Sequence, residues 1–289
     1  MTSNSNLVLR DQVIQACKSN IKDQAVLSWF TDKLETTETP SAFFLAFGMV
    51  NRKIDRSSVE IPTTLLDTFK NIDPVFNINN WTLDQFCRLA FLINLDPENN
   101  KGKIETLLAS ADMREQVVIY KSLHFLQNAE DFVLNAVDGI RTNMIDVFDS
   151  IALDSAYPSK YFDESAWNQM VLKAIFMERP IFKIYGLETR QNKKLATILH
   201  DFVHERWAAG RSVTPELWRL TSSFLNVQIL EDLKKVIETG TPTAKSAAIK
   251  VLQESNHPKA TDWLESKNIE KSKKSWEEIG HEVWSAIEN

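Results

Sequence analysis

Apolar positions recur at helical spacing along almost the whole chain. Leu7, Val13, Ile14, Cys17 and Ile21, then Ala25, Trp29, Phe30 and Leu34, predict two helices meeting near Ser19 and Asn20. Pro40 opens a nearly continuous apolar run to Val50 that reads as a buried helix; proline costs nothing at a helix start, where its amide has no partner. Ile61-Pro62 starts a short helix through Phe69, and Asn71–Asn80 reads as loop. Thr82 with Gln85 forms a capping-box pattern for a helix through Ile93, closed by Pro97, Asn99, Asn100 and Gly102. Helices are then predicted over Ile104–Ala109, Met113–Leu126, Ala129–Val137 and Ile140–Leu153. Thr214-Pro215 and Thr241-Pro242 each pair an N-cap residue with proline at the first helical position. No alternating apolar pattern exceeds four residues, so the expected fold class is all-α.

The pattern over Glu115–Ala136 is echoed over Ala247–Ser266: a helix, a break containing Asn, then a helix with Asp before an aromatic residue. Such echoes accompany stacked antiparallel helical hairpins, and predict a HEAT-like α-α superhelix. The last segment puts Trp276, Ile279, Val283, Trp284 and Ile287 on one face, as a helix covering the open end of a stack or, alternatively, docking a partner. A single domain over 1–289 is expected.

Composition narrows the function classes. With 43% hydrophobic and 25% charged residues, the 289-residue chain has the make-up of a soluble globular protein. Seven glycines are few for a glycine-rich nucleotide fold, and a net charge of −6 argues against a broad nucleic-acid surface. Cys17 and Cys87 sit beside apolar neighbours in helical patterns and read as buried thiols of a reducing compartment. The start of the chain lacks a secretory pattern and the longest apolar run is too short to span a bilayer, so a cytoplasmic location is expected.

The stretch Asp138–Arg219 departs from ordinary amphipathic helix by mixing amides, guanidiniums and tryptophans into its apolar stripes. On a wheel of about 100° per residue, Trp167, Met170, Val171, Ala174 and Ile175 share a face. Asn168 falls between Ile175 and Leu172, and a buried amide needs partners; Gln169 and Lys173 take the more polar side. Arg206 interrupts the stripe Leu195, Ile198, Leu199, Phe202, Val203, and needs a carboxylate, helix-end carbonyls or an anionic ligand. Asp146, Asp149 and Asp163 are its candidate partners. His200 and His204, at i and i+4, have the spacing of two metal-binding histidines on a helix. The HExxH pattern is absent, and neither a third histidine nor a CxxC pair lies near, so a rim role beside Trp207 is expected. The GxSxG, GxxxxGK[ST] and GxGxxG motifs are absent as well.

The phrases Gly139–Met144 (GIRTNM), Tyr157-Pro158 with Phe162–Ala174 (FDESAWNQMVLKA), His204–Arg211 (HERWAAGR) and Thr214–Arg219 (TPELWR) resemble the EboA family of bacterial metabolite-traffic proteins. Ala111–Tyr120 and Trp81–Gln85 match more loosely, and His200 is not a position of the family pattern. The resemblance covers roughly 70–255, dividing the chain into N-terminal helices (1–70), an EboA-like core (71–255) and C-terminal capping helices (256–289). It implies a helical protein encoded beside other ebo components, among them a membrane prenyltransferase-like protein and TIM-barrel proteins. It also implies a role in moving a secondary-metabolite precursor out of the cytoplasm, the sunscreen scytonemin being the familiar case.

The expected function is therefore a non-catalytic binding or adaptor protein for a small aromatic or prenylated metabolite. It would be cytoplasmic, or peripheral at the inner membrane through a partner, without binding nucleic acid. The candidate ligand-binding set is Arg141, Asn143, Trp167, Asn168, Lys173, His204, Arg206, Trp207, Arg211 and Trp218. Tryptophans would supply flat apolar surface and the polar groups orientation. No catalytic residue, metal ligand or cofactor is assigned. The alternatives are an enzyme using Asp146, Asp163, His204 or Glu205 as acid or base, and a helical protein-interaction scaffold without a pocket.

Overall fold

The computed structural model describes residues 3–36, 39–78 and 81–288; Met1 and Thr2 at the chain start, and Asn79 and Asn80 of the predicted loop, lie outside them. Among the described residues every regular element is a helix, beside one isolated antiparallel bridge between Ser58 and Thr82. The fold is all-α. The chain divides into two compact units, Met1–Phe162 and Asp163–Asn289.

The first unit contains α1 (Ser3–Asn20), α2 (Gln24–Glu35), α3 (Pro40–Lys53), α4 (Thr63–Ile72), α5 (Leu83–Ile93), α6 (Asn100–Ser110), α7 (Met113–Ser122), α8 (Val133–Gly139), α9 (Ile145–Ala152) and α10 (Tyr157–Tyr161). Its centre is α5, buried from Leu83 to Leu92 and packed against α1, α3 and α7. The predicted capping box forms between Thr82 and Gln85: the Thr82 amide donates to Gln85 Oε1 at 3.0 Å, and the Thr82 hydroxyl also reaches Asp84. Arg88, inside this helix, is paired with Asp84 at 3.3 Å and Glu115 at 3.4 Å and lies 5.4 Å from the Phe47 ring centroid. Such a buried group adds little net stability while paired, but removing one partner strands a charge.

Two predicted helices of this unit start or end elsewhere. The Met113–Leu126 pattern breaks at Ser122 into a 3-10 turn over Leu123–Phe125, where His124 is fully buried and its Nδ1 meets Asp73 Oδ2 at 2.8 Å. The Ile140–Leu153 pattern becomes helical only at Ile145. Residues Gly139–Met144 form a turn in which the Thr142 hydroxyl accepts from the Met144 amide at 3.1 Å, a local bond that competes with helix. Gly139 is required there, since a Cβ would lie 2.5 Å from Ile151 Cδ1 and 2.7 Å from the Tyr120 ring.

The second unit contains α11 (Glu164–Phe176), α12 (Lys193–Ala208), α13 (Val227–Thr239), α14 (Pro242–Glu254), α15 (Pro258–Ser266) and α16 (Trp276–Glu288), with 3-10 segments over Ile181–Lys183 and Pro215–Phe224. Asp163 caps α11 by accepting from the Ala166 amide at 2.7 Å, and Asn192 caps α12 from Leu195 at 2.9 Å. Thr241 caps α14 as its Thr-Pro pattern predicts. Thr214-Pro215 opens the longer 3-10 segment instead, whose hydroxyls hold the tighter winding: Thr221 donates to the Trp218 carbonyl, and Ser222 to that of Arg219. This segment packs against α12, α14 and α16 and carries Trp218 into the core. In α16, Trp276 and Ile279 are buried, Val283 and Trp284 half-buried and Ile287 exposed.

Candidate functional site

Two helix ends build the recess of the second unit. Beyond α11, Glu178 takes a left-handed conformation (φ 54°), and the Arg179 amide donates back to the Ala174 carbonyl at 2.8 Å. Beyond α12, Gly210 does the same (φ 67°), with the Arg211 amide donating to the Arg206 carbonyl at 2.8 Å. Both are Schellman-type endings, which reverse the chain and use up terminal carbonyls. Each is followed at once by an arginine, the charge favoured at the negative end of a helix dipole. Both endings line one cleft of about 890 Å³, within the size range of small-molecule sites.

The cleft walls are aromatic. Trp207 and Trp218 lie 6.0 Å apart with their planes inclined at 45°, and Phe176 stacks obliquely on Phe202 at 4.8 Å. Cations sit on these rings: Lys235 lies 4.8 Å from the Trp207 centroid and Arg179 5.0 Å from that of Trp284. The Arg206 Nε donates to the Ser212 carbonyl at 3.0 Å, with its guanidinium 6.0 Å from the Phe202 ring. A loop carbonyl thus fills the role for which Asp146, Asp149 and Asp163 were candidates. Glu216 also lines the cleft. It is buried, with Arg219 Nη1 3.6 Å away, and burial pushes its carboxyl up to about 7 against the weaker pull of Arg219 and the Phe182 backbone.

Of the candidate ligand-binding residues, Arg206, Trp207, Arg211 and Trp218 line this cleft together. The others lie elsewhere. Asn168 makes a reciprocal amide pair with Asn192, donating at 3.1 Å and accepting at 2.7 Å, which ties α11 to the capped start of α12. Trp167 is fully buried, with the Arg190 guanidinium 4.7 Å from its centroid. Lys173 is half-buried on α11, and burial pulls its ammonium below the usual lysine range. Arg141 and Asn143 belong to the first unit, exposed in the turn before α9, where Arg141 pairs with Asp138 at 3.2 Å.

His204 has a setting its sequence neighbours do not reveal. Its Nε2 lies 2.8 Å from Asp232 Oδ2 and 3.2 Å from His200 Nε2, and His200 Nε2 lies 2.7 Å from the same carboxylate oxygen. The His204 ring also lies 5.7 Å from that of Trp207, edge to face. Asp232 belongs to α13, and only the fold brings it to the pair. The paired buried groups Glu216–Arg219, Asp84–Arg88 and Asp73–His124 also escaped the sequence reading. Their one sequence signal is an ionisable residue inside an apolar run.

Fold and cleft define a helical protein with an aromatic recess of small-molecule size edged by arginines. Over residues 9–222 the chain matches the family described as metabolite traffic protein EboA, and it belongs to that family. The match starts well before the phrases that carried the resemblance and stops short of α13, α14 and α16, which complete the cleft. No curated protein and no solved structure matches the chain.

Proposed function

We propose that this chain is a non-catalytic binding and adaptor protein that holds a secondary-metabolite precursor during its traffic or export. The observation that carries this reading is the meeting of Arg206, Trp207, Arg211 and Trp218 in one cleft. Ring faces favour a flat aromatic or prenylated body, and the arginines favour an acidic or carbonyl-bearing edge. Among the described residues no helix is long and apolar enough to cross a membrane. Delivery to a bilayer then goes through a partner, for which other ebo components, including the membrane prenyltransferase-like protein, are the natural choice.

The test is complementation of a deletion strain. Trp207→Ala with Arg206→Ala, at a half-buried surface, should leave folding intact by circular dichroism and lower exported metabolite severalfold while precursor accumulates in the cell. Full export by that variant, at normal protein level, would sink the reading.

A further inference from the structure

We propose that His200, His204 and Asp232 bind one divalent first-row transition ion of zinc type, leaving a coordination position open to solvent. Two helices supply the donors: α12 presents the histidine pair on one face, and α13 presents the carboxylate. The three atoms form a triangle with edges of 2.7, 2.8 and 3.2 Å.

Hydrogen bonds can close two edges of this triangle but not all three. Each imidazole Nε2 has a single directional position, either a proton or a lone pair. Here each Nε2 faces both Asp232 Oδ2 and the other Nε2. If both nitrogens carry protons, both N–H groups point at Asp232 Oδ2, which can accept the two, and the nitrogens are left 3.2 Å apart with no bond between them. If one gives up its proton to accept from its neighbour, it turns a lone pair towards the carboxylate. A cation at the centre takes all three lone pairs at once. Tetrahedral coordination at zinc-like bond lengths sets donor edges of about 3.3 Å, so the edges open by up to about 0.6 Å. His204, with a side chain 52% exposed, can adjust its two edges, while the 2.7 Å edge opens by a small rotation of the His200 and Asp232 side chains, 11% and 14% exposed.

Two imidazoles and one carboxylate form a borderline donor set, suited to zinc and its neighbours and poorly suited to magnesium or calcium. Three protein ligands with a solvent-facing fourth position is the pattern of an ion that also takes water or a donor atom from a ligand. Trp207 links this position to the cleft, with its edge on His204 and its ring in the cleft lining. Lys235, one turn beyond Asp232 on α13, lies over the same ring. The histidines fall within the matched family region and Asp232 beyond it. The proposal stands on this geometry and is independent of the traffic reading.

The test uses the full chain, with any affinity tag removed, dialysed against chelator and titrated with Co²⁺. One equivalent should bind and give the visible d–d absorption of a low-coordinate site, and one equivalent of Zn²⁺ should abolish that absorption. His204→Ala, at an exposed position, and the isosteric Asp232→Asn should each weaken binding by roughly tenfold or more. Circular dichroism should show both variants folded. No saturable absorption in the wild-type chain would overturn the assignment, as would wild-type affinity in both variants.

Discussion

Burial holds Glu216 protonated across a pH range in which an exposed carboxylate has already ionised. Its folded value of about 7 lies above the ordinary 4.5, so between these values the folded chain keeps a proton that the unfolded chain has lost. The stability this group contributes is fully present below about pH 4.5 and lost as pH rises through about 7. Glu216→Gln is neutral throughout. In urea titrations between pH 4.5 and 7.5, the variant should lose about 3 kcal/mol less stability than the wild type. Parallel profiles would show that Arg219 compensates the charge in full. Asn168 shows what the sequence does reveal at this scale: an amide inside an apolar stripe must have a partner. That the partner is Asn192, itself a helix cap, depends on the packing of α11 against α12.

Helix starts were legible because their signals are local. Pro40 and the Thr241-Pro242 pair marked theirs, and Thr39, Asp163 and Asn192 cap helices by the same few-residue device. Endings were less so. Gly210 is a recognisable terminator, but Glu178 occupies the same left-handed position after α11 without glycine's freedom. The strain sits in the cleft wall, where an acidic side chain is kept beside Arg179 at a cost to the fold. Glu178→Gly should therefore raise stability by about 1 kcal/mol, read as a higher denaturation midpoint with an unchanged slope. A lower midpoint would mean that contacts of the Glu178 side chain outweigh its backbone strain. The turn Gly139–Met144 was hidden for a related reason. Its apolar spacing continues that of α9, and only the Thr142 bond to Met144 and the close approach at Gly139 break the helix.

For the whole molecule, periodicity alone was enough for the all-α class, since every apolar run has helical spacing or is too short for a strand. Long-range convergence was not available to it. The cleft gathers residues from α11, α12, the Pro215–Phe224 segment, α13, α14 and α16, and His204 meets an aspartate 28 positions away. Arg206, Trp207, Arg211 and Trp218 were found because polar and aromatic residues crowd one short stretch. Lys235 and Trp284, which lie outside that stretch, were not. The cleft is proposed to hold a flat aromatic or prenylated molecule. Isothermal calorimetry of the purified chain with aromatic and prenylated biosynthetic intermediates reads this most directly. One equivalent should bind with a negative heat-capacity change, and Trp207→Ala should bind at least tenfold more weakly at unchanged melting temperature. Saturable binding that Trp207→Ala leaves intact, or no binding of any intermediate, would contradict it.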